Sequence, residues 1–166
     1  MGRETIFERR TDCPERTAEA GAELARWLIG RGGGAFVAIY GELGAGKTAF
    51  VAGFAEAWAP EAVARSPIHS PTFTIVEEYG GTQASRRLIH MDLFRINTAR
   101  DLYSVGFDEY MEQVERPAGG VATACCAEFA QRFDSPELAP LLPQRHVRVE
   151  ITAWADGCRN ISADVV

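Results

Sequence analysis

Eight consecutive residues constrain this chain more than any others. Gly41-Glu42-Leu43-Gly44-Ala45-Gly46-Lys47-Thr48 fits G-x-x-x-x-G-K-[ST], a pattern that works only where a strand delivers its first residue and a helix departs from its last. Both neighbours are legible. Residues 35 to 40 are continuously apolar, as in a strand buried on both faces of a parallel sheet. Beyond Thr48, Phe50, Val51, Phe54, Ala55 and Trp58 fall on one helical face until Pro60 closes the segment.

Each residue type in the loop has a physical reason to be there. Glycine lets backbone N–H groups turn inwards and approach phosphate oxygens with no Cβ in the way, and the helix beginning at about Gly46 adds its positive end. Lys47 can reach the β and γ phosphates of a nucleoside triphosphate, and Thr48 offers a hydroxyl to Mg2+. Of the 17 basic residues, Lys47 is the only lysine. A chain that uses arginine everywhere else keeps a compact ammonium at one place, where a planar guanidinium is not equivalent.

The other segments organise around this unit. Asp12, Pro14 and Glu15 read as a helix start with Asp12 as the capping carboxylate, and Leu24, Trp27 and Leu28 give that helix its apolar stripe before Gly30 to Gly34 end it. Residues 72 to 79 and 87 to 94 read as an antiparallel pair joined through Gly80 and Gly81. In the second of these, Ile89, Met91 and Leu93 face one way and His90 and Asp92 the other. Residues 101 to 114 are expected to be helical in two pieces around Gly106. Residues 121 to 127 form a buried run ending at Glu128, and 146 to 151 alternate as a half-exposed strand does. The expected fold is α/β, a P-loop NTPase-like three-layer sandwich with a central mixed, mostly parallel sheet flanked by helices.

Composition bounds the rest. With 166 residues, one domain spanning 1–166 is expected. A net charge of -6 without a dense basic run argues against independent grip on a nucleic-acid backbone. No apolar stretch spans a bilayer and no export signal opens the chain, so a cytoplasmic location is expected. Cys13, Cys125, Cys126 and Cys158 have neither C-x-x-C pairing nor metal-type spacing, and read as reduced thiols. His69 and His146 carry no pattern, and the tryptophans and phenylalanines sit at core spacings.

A phosphate loop needs a carboxylate near magnesium and a group that positions the attacking water, normally at the carboxyl ends of neighbouring strands. Glu128 is the expected metal-associated acid, with Thr48 the other metal ligand. Asp92 is expected to orient or deprotonate the water. Ser70-Pro71-Thr72 either answers to the γ-phosphate or is a plain turn.

In order along the chain, these residues resemble those of one family, the bacterial TsaE (YjeE) ATPases of tRNA threonylcarbamoyladenosine biosynthesis. The resemblance is carried by Thr17 with Gly21, the loop at 41–48, Ser70-Pro71-Thr72-Phe73-Thr74, His90-x-Asp92-Leu93-Phe94-Arg95, Gly106, and Glu128 with the aromatic Phe129. It implies ATP and Mg2+ as ligands, Thr17 beside the nucleotide, Lys47, Asp92 and Glu128 as the catalytic set, and partnership with TsaB and TsaD proteins acting on tRNA. The chain departs from the family in having Phe94 where tyrosine is usual, Phe129 where tryptophan is usual, and a longer stretch at 64–69. Two other uses of the loop stay open: a small-molecule or nucleotide kinase, for which only scattered Arg116, Arg132 and Arg145 could serve as a lid, and a nucleotide-gated binding module with incidental turnover.

Overall fold

In a computed structural model of the chain, residues 4–81 and 84–166 are described. Seven strands form one sheet: β1 Glu4–Thr11, β2 Ala35–Tyr40, β3 Val76–Tyr79, β4 Arg86–Asp92, β5 Ala122–Glu128, β6 Val147–Ala153 and β7 Arg159–Val165. Their order across the sheet is β1-β7-β6-β2-β5-β4-β3. The four inner strands β6, β2, β5 and β4 run parallel, and the flanking pairs β1–β7, β6–β7 and β3–β4 are antiparallel. Among the described residues five α-helices accompany them: α1 Pro14–Arg31, α2 Lys47–Trp58, α3 Pro60–Arg65, α4 Ala99–Ser104 and α5 Phe107–Glu115.

Two apolar layers sandwich the sheet. On one face Leu24, Phe50, Phe54 and Trp58 of α1 and α2 pack on Val37, Ile39, Leu88 and Cys126. On the other, Leu102, Phe107 and Phe133 pack on Phe36, Ala38, Ile89 and Cys125. This is the expected α/β sandwich, and the alternation of side chains along β2, β4 and β5 explains it. Strand β2 is central and buried almost throughout, which is why it reads as an unbroken apolar run. The helices α1 and α2 cross so closely that a Cβ on Gly53 would lie 1.8 Å from the Ala18 carbonyl oxygen.

Several boundaries differ from expectation for identifiable reasons. The cap of α1 is Cys13 rather than Asp12; Asp12 instead pairs with Arg16 on the surface. Pro60 does close α2, and it opens the short helix α3. Strand β3 begins at Val76 instead of residue 72, because Ile75 takes a positive φ of 68° and its N–H donates to the Pro71 carbonyl, forming a turn. Strand β4 ends at Asp92, whose carboxylate accepts from Phe94 N and starts a 3-10 turn over Leu93–Arg95. Residues 82 and 83 of the β3–β4 connection lie outside the described residues. The edge strand β1 and the strand β7 that it pairs with were not anticipated.

Among the described residues no helix is long and apolar enough to cross a membrane. All four cysteines are free, with Cys125 and Cys126 buried in β5, where burial pushes both thiols well up from their ordinary range.

Candidate active site

The loop at 41–48 leaves the carboxyl end of the central strand β2 and becomes the first turn of α2. Gly46, the residue before α2, has φ 104°, a left-handed conformation that disfavours any side chain, and a Cβ there would stand 2.9 Å from Arg159 Nε. Lys47 is the first residue of the helix. Its side chain is buried and folds back over the loop, with Nζ donating to the Gly41 carbonyl at 2.9 Å and to the Glu42 carbonyl at 2.7 Å, and lying 3.7 Å from the centre of the Phe129 ring. Burial pulls its pKa down from the usual lysine value, against the opposing charges of Glu128, Asp92 and Glu42.

The two acids singled out in the sequence come together beside it. In the parallel register Asp92 pairs with Glu128, and Ile39 of β2 pairs with Glu128 from the other side, so both carboxylates sit level at the sheet's carboxyl edge, on the α2 face. Thr48 Oγ1 lies 3.0 Å from Glu128 Oε1 and 3.2 Å from Oε2, donating to the carboxylate. Glu128 also accepts from His90 Nε2 at 2.7 Å. Asp92 is engaged differently: Oδ2 accepts from Thr72 at 2.9 Å and Ser70 at 3.3 Å, and Oδ1 accepts from Phe94 N at 2.9 Å. The Ser70-Pro71-Thr72 segment is therefore clasped to the end of β4. Lys47, Thr48, Asp92 and Glu128 line a cleft of about 480 Å³ together with Leu43, Gly44 and Phe94.

Thr17 is fully buried on α1 and lies alongside the loop, its methyl 3.5 Å from where a Gly46 Cβ would be; its hydroxyl bonds to Thr11 Oγ1 and the Cys13 carbonyl. Among the loop residues Glu42, Leu43 and Gly44 are exposed and Ala45 is buried.

Three contributors were missed. Arg159, at the start of β7, donates Nε to the Ala45 carbonyl at 2.9 Å; Gln131 donates Nε2 to the Gly41 carbonyl at 3.2 Å; and His90 bonds Glu128. No local pattern marks Arg159 or Gln131, since each reaches the loop through tertiary placement. His90 carried a usable signal, as it lies two residues before Asp92 on the same face. A larger cavity of about 600 Å³ opens at the opposite end of the sheet, lined by Trp27, Arg31, Val114 and His146 among others. Its lining includes none of residues 41–48 and neither Asp92 nor Glu128.

A parallel core with a glycine loop at the end of its central strand, and acids at the ends of the next two, is the P-loop NTPase-like three-layer sandwich. The chain belongs to the TsaE family: the family described as "Threonylcarbamoyl adenosine biosynthesis protein TsaE" matches residues 11–161. Similar proteins include the tRNA threonylcarbamoyladenosine biosynthesis protein TsaE of Treponema pallidum, 32% identical over 154 residues, covering 90% of this chain and 97% of that protein. The protein of the same description from Bacillus subtilis is 32% identical over 157 residues, covering 95% of this chain and 84% of its own length. Among solved structures, Bacillus subtilis YdiB superposes with a TM-score of 0.63 at 25% identity, over 100% of this chain and 88% of that one.

Proposed function

We propose that the chain is a magnesium-dependent ATPase that supports the TsaB and TsaD proteins in forming threonylcarbamoyladenosine in tRNA. The observation that carries this reading is the hydrogen bond from Thr48, on the first turn of α2, to Glu128, at the end of β5. It sets a hydroxyl and a carboxylate side by side next to a buried ammonium, as a magnesium triphosphate requires.

The residues fit that ligand. A hydroxyl that donates its proton to Glu128 keeps its lone pairs for a cation, and both groups are hard oxygen donors suited to magnesium. Among the described residues no group of three or more His, Cys, Asp or Glu stands ready to hold a metal; magnesium held by one or two side chains together with phosphates needs none. When bound, it would neutralise charge that develops as the terminal phosphate bond breaks. Lys47 would exchange its two carbonyl partners for phosphate oxygens, an exchange favoured because the buried ammonium then meets anions in place of dipoles. Gly41, Glu42, Leu43, Gly44, Ala45 and Gly46 would turn their amides to the phosphates, with Arg159 and Gln131 bracing the loop from outside. Thr17 would shape the loop's flank through packing. Asp92 would orient the attacking water once Thr72 leaves Oδ2.

The test is phosphate release from ATP with magnesium, measured alone and with TsaB and TsaD proteins added. Weak basal release that rises with the partners is the expected result. Absence of ATP uptake by calorimetry, with and without partners, would overturn it, and a phosphorylated acceptor in place of free phosphate would make the chain a kinase.

A further inference from the structure

His90 is fully buried, and its ring makes one hydrogen bond, from Nε2 to Glu128 Oε1 at 2.7 Å. Nδ1 is buried with no partner among the described residues. A contact this short to a carboxylate oxygen needs a proton between the atoms, so Nε2 donates. The unpaired Nδ1 costs stability, and Leu88, two residues earlier on the same face of β4, shows that an apolar side chain serves the packing there without that cost. All the polarity of His90 is thus directed at a single oxygen.

The consequence lies in how Glu128 is held. Its Oε1 takes the imidazole and the shorter bond from Thr48, whereas Oε2 has only the longer Thr48 contact at 3.2 Å. Resting on the nucleotide reading above, we infer that His90 is a positioning residue: it anchors Oε1 so that Oε2 is the oxygen Glu128 presents to the cation beside Thr48. Partners of this kind, one bond removed from a metal, fix the ligand's rotamer and basicity.

The experiment measures uptake of a fluorescent ADP analogue by the full chain during a magnesium titration. It compares the parent with His90→Leu, which fills the site without a donor, His90→Gln, whose amide reaches the position of Nε2, and His90→Asn, whose amide stops near Nδ1. Without magnesium all four are expected to bind alike. His90→Leu and His90→Asn are expected to raise the magnesium midpoint by about 10- to 100-fold, while His90→Gln stays within about threefold of the parent. Under ATP turnover at saturating magnesium, kcat should fall in the first two with KM little changed. A midpoint for His90→Leu or His90→Asn equal to the parent's, or a His90→Gln variant as impaired as the others, would overturn the assignment. If His90→Leu does not fold, the contrast between the Gln and Asn variants decides. A parent that takes up no nucleotide at any magnesium concentration overturns the nucleotide reading itself, a result distinct from normal uptake with unshifted midpoints.

Discussion

Thr48 and Glu128 are 80 positions apart in the chain, yet the threonine hydroxyl lies 3.0 Å from a carboxylate oxygen, linking the first turn of α2 to the end of β5. Replacing Glu128 by glutamine keeps the shape and removes the charge. Nucleotide uptake without magnesium should be unchanged, while the gain from adding magnesium should shrink at least about tenfold and phosphate release should fall about a hundredfold or more. Calorimetry with and without magnesium, alongside phosphate release, checks both halves.

Lys47 occupies a pocket closed by two carbonyls and the Phe129 face, with Nζ 3.7 Å from the ring centre. A guanidinium is wider and planar and does not fit the same cradle. Lys47→Arg should therefore weaken nucleotide binding by about tenfold or more, close to the loss from Lys47→Ala. An affinity within a few-fold of the parent would refute the cradle argument.

The crossing of α1 and α2 leaves no room at Gly53, where an added Cβ would meet the Ala18 carbonyl oxygen at 1.8 Å. Gly53→Ala must push the helices apart and should destabilise the fold by about 1–3 kcal/mol in denaturant titration. Because Lys47 and Thr48 ride on α2, the same variant should weaken nucleotide binding although Gly53 lies in the helix interior, away from the cleft.

Asp92 clasps the Ser70–Thr72 segment through two hydrogen bonds to Oδ2, while Oδ1 accepts from Phe94 N. Removing the carboxylate by Asp92→Ala should free that segment. Limited proteolysis should cut between residues 66 and 75 faster in the variant than in the parent, in addition to any loss of phosphate release. Equal cutting rates would mean the clasp contributes little.

His146 is buried at the start of β6, donating Nδ1 to the Pro143 carbonyl at 2.8 Å, and its pKa is lowered chiefly by burial, with the charge of Arg148 adding to the effect. Between the native value and the ordinary histidine value of about 6.5, the unfolded chain takes up a proton that the native protein refuses. Stability should accordingly decline as pH falls through that window, with a slope no steeper than about 1.4 kcal/mol per pH unit for this one proton. Denaturant titrations across the window should show the decline in the parent and a flatter profile in His146→Gln.

The legible parts of this molecule were those whose signals are local. The loop at 41–48 carries its own context in the apolar run before it and the helical stripe after it, and the alternation around Ile89 and Met91 put His90 and Asp92 on one face without any knowledge of neighbours. Glu128 stood out because it ends an apolar run. The two flanking strands stayed hidden for opposite reasons. Residues 4–11 are half charged, with Ile6 and Phe7 adjacent, because β1 is an edge with little burial, so no period of two shows. Residues 159–165 do alternate Ile161, Ala163 and Val165 with Asn160, Ser162 and Asp164, but over a short stretch whose middle apolar residue is a small Ala163, which weakens the signal. The bend at Ile75 was equally invisible, since a branched residue at positive φ gives no sequence signal of a turn, and its carbonyl finds its partner in the distant Asp92 N–H.

One brace on the glycine loop comes from the far end of the chain. Arg159 reaches Ala45 from β7, a strand that pairs on one side with β6 and on the other with β1, bringing Glu4 opposite Val165. During synthesis the loop and α2 emerge more than a hundred residues before that arginine. A nascent chain thus has the glycine loop early but without this brace, and gains it only when β7 inserts between β1 and β6, a long-range step of the kind that folds slowly.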